Sequence, residues 1–302
     1  MAYYKKKSNG TGKTVHDILT ERIMEKLENG VVPWERPWVG ASGPPIRMYN
    51  MQPYRGINVF LLGCEGFASP YWGSLKHIND KGGSIKKGEH GSLCIFSKPD
   101  VKRIPVDGEN GEEDFVEKKR WILRYYKVFN LQQTEGLEGV FPEPEKFEFN
   151  PIEKCESIIE GMPNRPELRH GGGRAFYRPS DDFVQVPERE HFKSPEGYYA
   201  VTFHEFVHST GHESRLKRDI RNLFGNHKYS KEELVAEMGA SFLCGVAGIE
   251  NSIIDNSAAY IASWLKALKN DKTMVYWAAQ EAQKAAEYIL GDNGWGEEED
   301  GE

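Results

Sequence analysis

No stretch of this sequence approaches the roughly eighteen consecutive apolar residues that a helix needs to cross a bilayer. Its beginning, from Met1 to Lys7, carries tyrosines and lysines where a secretory signal would carry an apolar run. A membrane is therefore not expected as a partner, and the expected location is cytoplasmic. Cysteine is also scarce: Cys64, Cys94, Cys155 and Cys244 are the only four in 302 residues, and no two have C-x-x-C spacing. That spacing argues against a zinc knuckle or a disulfide framework and suits a reducing compartment.

What is present is length and an uneven distribution of charge. With 302 residues and 38% hydrophobic content, the chain can build two domains with real cores. The net charge of −7 hides an asymmetry. Residues 1–130 hold 21 basic against 15 acidic side chains, or +6, leaving 18 against 31, or −13, for the rest. A basic first half is what a phosphate-binding module needs, and an acidic second half would be repelled by nucleic acid. The resulting division is a basic flexible arm over 1–13, a first domain over 14–131, a linker over 132–151, a second domain over 152–290 and an acidic tail over 291–302. The linker is rich in Glu and holds Pro142 and Pro144, so it is expected to be extended and to keep the two domains apart.

Within the first domain, residues 14–29 read as an amphipathic helix with the stripe Val15, Ile18, Leu19, Ile23 and Leu27. Trp34 and Trp38 sit in a proline-rich crossing. A helical run follows at 59–62, and a second helix around 69–72 is expected to carry Leu75, His77 and Ile78. Residues 92–96 read as a strand, 100–117 as a polar, acidic insertion, and 120–129 as part of a strand pair. Aromatics interleaved with cations suit a single-strand-binding groove, because bases stack on rings while Lys and Arg meet phosphates. Trp121, Tyr125 and Phe129 are as readily core as surface, and the glycine-flanked Lys86 and Lys87 are the better phosphate candidates.

In the second domain, a helix is expected over 152–162, strands over 174–178 and 182–186, and helices over 257–269 and 272–290. Its centre is His204-Glu205-Phe206-Val207-His208. Two histidines four residues apart share a helical face and offer two imidazole nitrogens to one Zn²⁺, with Glu205 beside them as general base. Ser194 as N-cap and Pro195 at the first position start this helix, and Gly211 ends it.

A catalytic zinc needs a third protein ligand. One class with this motif has a further His where this chain has Ser214, so that class is disfavoured. The candidates are His212, His227, or a carboxylate on a second helix that opens near Glu232, with Ser230 as N-cap and Glu233 in a capping box. Glu233, Glu237, Ala240 and Cys244 share a face at helical spacing. Glu233 is the preferred ligand, and Glu237 is the expected carboxylate that orients an imidazole N–H.

H-E-x-x-H followed by E-x-x-A-E-x-x-x-A is similar to the zincin-type metallopeptidases. More closely, VTFHEFVHSTGH, EELVAEMGASFL and YIASWLKALKND, with upstream YRGINVFLL, GGSIKKGEHG and YYKVFNLQQTEGL, resemble the ArdC-like antirestriction proteins of plasmids and phages. The resemblance implies an α+β protein: a small mixed N-terminal domain that binds single-stranded DNA, and a zincin-like metallopeptidase domain with the HExxH helix and a Glu-bearing second helix. It implies Zn²⁺, with Mn²⁺ or Co²⁺ as alternatives, held by His204, His208 and Glu233 beside catalytic Glu205. The implied partners are single-stranded DNA and a host protein substrate, in the bacterial cytoplasm. Tyr54, Arg55, Asn58, Trp72, Lys86, Lys87, Arg124 and Lys127 are the expected DNA contacts. Two other readings are a peptidase that cleaves a DNA-bound repressor and a non-catalytic single-strand-binding factor in replication or transfer.

Overall fold

The computed structural model describes residues 13–34, 44–107, 113–142, 151–220, 227–249, 251 and 258–291. Apart from Lys13 and Gly291, the expected arm and tail lie outside them, as do Trp38 and part of the linker. Helix α1, Val15–Glu28, starts where expected because Thr14 and Asp17 form a reciprocal capping box, with Asp17 N donating to Thr14 Oγ1 at 3.2 Å and Thr14 N to Asp17 Oδ2 at 2.8 Å. Its stripe buries Leu19, Ile23 and Leu27 completely. After β1 (Ile46–Arg47) and α2 (Ile57–Gly63) comes β2, Tyr71–Gly73.

The helix expected around residues 69–72 is therefore corrected: Tyr71–Gly73 is a buried strand, and Ser74 caps the short α3, Leu75–Asp80. Backbone pairing on both sides decides this, because β2 lies between β1 and a later strand. A Cβ on Gly73 would come within 2.6 Å of Met48 Sδ, so a larger residue there would have to displace the buried Met48 side chain.

Strands β3 (Ser84–Ile85), β4 (Ser92–Asp107) and β5 (Glu113–Asn130) follow. The expected insertion at residues 100–117 is instead largely the outer part of a long antiparallel hairpin, in register from Ser92↔Val128 to Asp107↔Glu113. β4 accommodates Pro99 and Pro105 because it is the edge of the sheet β1-β2-β5-β4, where a missing N–H is tolerated.

A second correction concerns the expected linker. Residues Leu131–Gln133 form a 3₁₀ turn, and β6 (Thr134–Glu135) pairs with β3. Leu137 and Phe141 are buried with Met48, Tyr71 and Ile78. Apolar residues set among the glutamates thus fold the start of this segment onto the first half.

The second half contains α4 (Pro151–Gly161), the three-stranded sheet β7-β9-β8 (Glu167–His170, Phe183–Val186, Phe176–Arg178) and four further helices. These helices are α5 (Pro195–Ser209), α6 (His227–Ala247), α7 (Ala258–Asn270) and α8 (Met274–Leu290). The two halves are not held apart, because one hydrophobic core runs through both. Phe60 of α2 packs on Phe242 of α6 with ring centroids 4.7 Å apart, and Trp34 meets Trp264 edge-on. Thr20 donates to the Lys272 carbonyl at 2.8 Å, Lys272 pairs with Asp17, and Gly56 N donates to Gln283 Oε1 at 3.0 Å.

Candidate metal centre

Helix α5 is buried almost all round, with Tyr198, Tyr199, Phe203, Phe206 and Val207 at most 1% exposed. In the sequence, Tyr199, Phe203, Phe206 and Thr210 recur at three- and four-residue intervals and read as one apolar stripe, with the histidines on a separate face. Instead α5 is a central helix, covered by β8 and β9, α4, α6 and α8. Its start is as expected, since the Ser194 side chain accepts from Gly197 N and Pro195 stands in the first turn. Helix α6 approaches closely because Gly239 faces Val207, where a Cβ would come within 2.7 Å of the valine methyls. Glu232, Ala236 and Gly239, at positions i, i+4 and i+7, form the side of α6 turned to α5.

This approach brings His204, His208 and Glu233 together, with one donor atom from each lying within 4.8 Å of the others. The two Nε2 atoms are 3.1 Å apart, Glu233 Oε1 is 3.5 Å from His208 Nε2, and Glu233 Oε2 is 3.7 Å from His204 Nε2. Two imidazoles bound tetrahedrally to one Zn²⁺ at about 2.0–2.1 Å would have their nitrogens about 3.3 Å apart. The donor set therefore fits a divalent ion. Among the described residues the cluster contains three such donors, which suits a catalytic rather than a four-ligand structural arrangement.

The other candidate ligands are placed as follows. His212 turns its Nδ1 to Ser214 Oγ at 2.8 Å. His227 begins α6, and its side chain lies outside the described residues. Ser230 sits inside α6 rather than at its start, so the expected N-cap is corrected, and Glu233 is relieved of a capping role.

The carboxylate facing His208 Nδ1 is Glu232 Oε1, at 3.4 Å, and not Glu237, the residue expected there. Arg218 grips both Glu232 oxygens. Among the described residues, Nδ1 of His204 is buried without a hydrogen-bond partner. Sequence reasoning missed Glu232 and Arg218, although the small-residue stripe from Glu232 to Gly239 was a usable signal for Glu232. Tyr177 donates its hydroxyl to Asp182 at 2.8 Å and accepts from Arg215.

Burial dominates the electrostatics. It raises the Glu205 carboxyl to about 7, with Glu233 adding to the rise while His208 and the Tyr177 backbone N–H oppose it. Burial raises Glu233 as well, and burial together with charge on His208 lowers His204. His208 goes the other way: burial alone would lower it, but the Glu232 hydrogen bond and the charges on Glu205 and Glu233 push it up to about 9. Metal binding must displace the His208 proton, so apparent affinity should rise about tenfold per pH unit up to pH 9. Calorimetry in buffers of different ionisation enthalpy should show about one proton released per metal ion at pH 7; release of none would contradict this charge assignment.

The expected DNA contacts divide. Tyr54 and Trp72 are 3% and 2% exposed, packed in the core where no base can stack on them. Asn58 bridges α2 to β4, donating to the Ile95 carbonyl and accepting from Ile95 N, both at 2.7 Å. Arg55 pairs with Glu287 of α8. Tyr54 and Trp72 are thus closed to solvent, and Arg55 and Asn58, half-buried, are engaged in contacts that hold the fold together. Lys86, Lys87, Arg124 and Lys127 are exposed, although Lys86 also donates to the Gln132 carbonyl. Arg124 and Lys127 stand on opposite faces of the hairpin, since they are three positions apart on one strand. Phe96, directly across from Arg124, and Trp121 are exposed aromatics that the expected contact set omitted or left open. No described helix is long and apolar enough to cross a membrane.

Comparison with known proteins agrees with this architecture. Residues 13–129 match the N-terminal domain of anti-restriction factor ArdC, and residues 153–281 match the zincin-like metallopeptidase family. The chain is 33% identical over 291 residues to the uncharacterized protein y4eC of Sinorhizobium fredii, covering 92% of each. It is also 33% identical over 292 residues to the DNA primase TraC of Escherichia coli, but spans only 27% of that longer protein. The metal-free crystal structure of antirestriction protein ArdC from plasmid R388 superposes with a TM-score of 0.68 at 35% identity, covering 91% of this chain and 96% of that one. Its Mn(II)-bound structure gives 0.69 at 34% identity, covering 92% and 97%.

Proposed function

The chain belongs to the ArdC-like antirestriction family, and from that membership we propose that it binds single-stranded DNA and hydrolyses peptide bonds at a divalent metal centre, protecting incoming DNA from host defence. The observation that carries the peptidase part is the convergence of His204, His208 and Glu233 beside buried Glu205. Zn²⁺ is the expected ion, with Mn²⁺ or Co²⁺ as alternatives; the related R388 protein has been seen with Mn(II). Held by those three side chains, the ion would supply the charge that polarises a peptide carbonyl and acidifies a water. Glu205, its carboxyl raised to about 7, is matched to taking a proton from that water and returning it to the leaving amine. The substrate is a host protein near the bound DNA.

For DNA, the β4–β5 hairpin is the favoured surface. Phe96, Arg124 and Tyr126 cluster on one face, with Phe96 and Tyr126 in edge-on contact at 5.6 Å, while Trp121 and Lys127 stand on the other. Rings would take bases, and Arg124, Lys127 and Lys87 would meet phosphates. The test is fluorescence anisotropy of the full chain with single-stranded and duplex oligonucleotides over a salt series. Single strands should bind more tightly, affinity should fall with salt, and Trp121→Ala should cost about 1–3 kcal/mol. Equal binding of duplex, or indifference to salt, would count against this reading.

A further inference from the structure

Two adjacent glutamates of α6 do different work at the centre, and a residue from outside α6 separates their roles. Glu233 faces the two Nε2 atoms, whereas Glu232 stands at the opposite edge of the His208 ring, against Nδ1. Arg218 lies in the segment that follows α5. It donates from Nε to Glu232 Oε2 at 3.2 Å and from Nη2 to Glu232 Oε1 at 2.8 Å, and both side chains are 4% exposed. The rest of the guanidinium is tied to the end of the helix that carries His208, with Nη1 donating to Thr210 Oγ1 at 2.7 Å and Nη2 to the Val207 carbonyl at 2.8 Å.

We propose that Arg218 is a positioning residue for the metal centre, aiming Glu232 at His208 Nδ1 and leaving Glu233 as the carboxylate that faces the ion. The inference rests on the reading of His204, His208 and Glu233 as metal ligands. A forked, two-point grip fixes the plane of a carboxylate in a way that a single contact does not. A carboxylate so fixed sets the ring orientation and basicity of the imidazole it touches. Charge points the same way: Glu205, Glu232 and Glu233 bring three carboxylates around two imidazoles, and one guanidinium with one divalent ion balances them when the imidazoles are neutral. His204 Nδ1 has no such partner among the described residues, so the bracket acts on one histidine alone.

The plain alternative is that Arg218 only caps the end of α5. A double-mutant cycle on metal affinity separates the two, using Arg218→Gln, Glu232→Gln and the double variant of the full chain. Zn²⁺ affinity is measured by competition with a chromophoric chelator, and the Co²⁺-loaded proteins are compared by visible absorption. Each single variant is expected to bind Zn²⁺ about 10–100-fold more weakly and to shift the Co²⁺ band, as loss of an outer partner does. The double variant should be no weaker than about threefold beyond the worse single, because Arg218 acts through Glu232. Arg218→Lys keeps the buried charge and thus protects the fold, yet it should still lose at least about threefold, since an ammonium cannot grip both oxygens. Losses that multiply in the double variant, or wild-type affinity in Arg218→Lys, would overturn the proposal while leaving the metal centre intact. A wild-type chain that takes up no metal would overturn both.

Discussion

Glu205→Gln is expected to lower peptide cleavage by about 10²–10⁴-fold while leaving metal content and the unfolding midpoint near those of the parent. The amide keeps the shape of the side chain but cannot accept a proton, so the loss isolates proton transfer from metal binding. Glu233→Ala should behave in the opposite order, stripping the metal first and losing cleavage as a consequence. Metal analysis alongside cleavage of a labelled protein substrate distinguishes the two. Retained metal in Glu233→Ala together with metal loss in His227→Ala would move the third ligand to the start of α6. The pH profile has a definite sign: burial raises the Glu205 carboxyl to about 7 in the chain without an ion, and the charge of a bound divalent ion pulls it back down, so Glu205 is ionised on the alkaline side and protonated on the acid side of a midpoint at or below 7. Cleavage should therefore fall about tenfold per pH unit on the acid side. If DNA protection survives Glu205→Gln undiminished, coating of the strand rather than proteolysis is what protects.

Phe60→Ala is expected to destabilise the metal-binding half as much as the half that contains it. Phe60 is fully buried and its ring lies 4.7 Å from that of Phe242, in the same helix as Glu233. Truncating a buried phenylalanine costs about 3–5 kcal/mol. Because one core runs through both halves, calorimetry should show a single transition that moves as a unit. Two separable transitions, with only the first displaced, would restore the picture of independent domains joined by a linker. Continuity of the core is visible in the packing of α1 against α7 and α8 and of α2 against α8.

The sequence by itself determined the parts whose physics is local. Ser194 and Pro195 start α5, Thr14 and Asp17 cap α1, and the four-residue interval of His204 and His208 puts two imidazoles on one face whatever surrounds them. Glu233 could be picked out because one helical turn relates it to Glu237 and to small residues beyond. Tertiary structure decided what depends on distant partners. Glu232, one residue from Glu233, belongs to the site only because Gly239 lets α6 close on Val207 and Arg218 returns to hold it. Tyr54 and Trp72 looked like stacking platforms by type and neighbourhood, but an aromatic ring serves a core as well as a base, and only packing chose the core. The glutamates of residues 132–151 suggested an extended spacer, yet Leu137 and Phe141 gain more by burial against Met48 and Tyr71 than the chain loses by bending back. Local hydrogen bonds and helical spacing are written in neighbouring residues, whereas the choice among competing burial partners belongs to the whole folded chain.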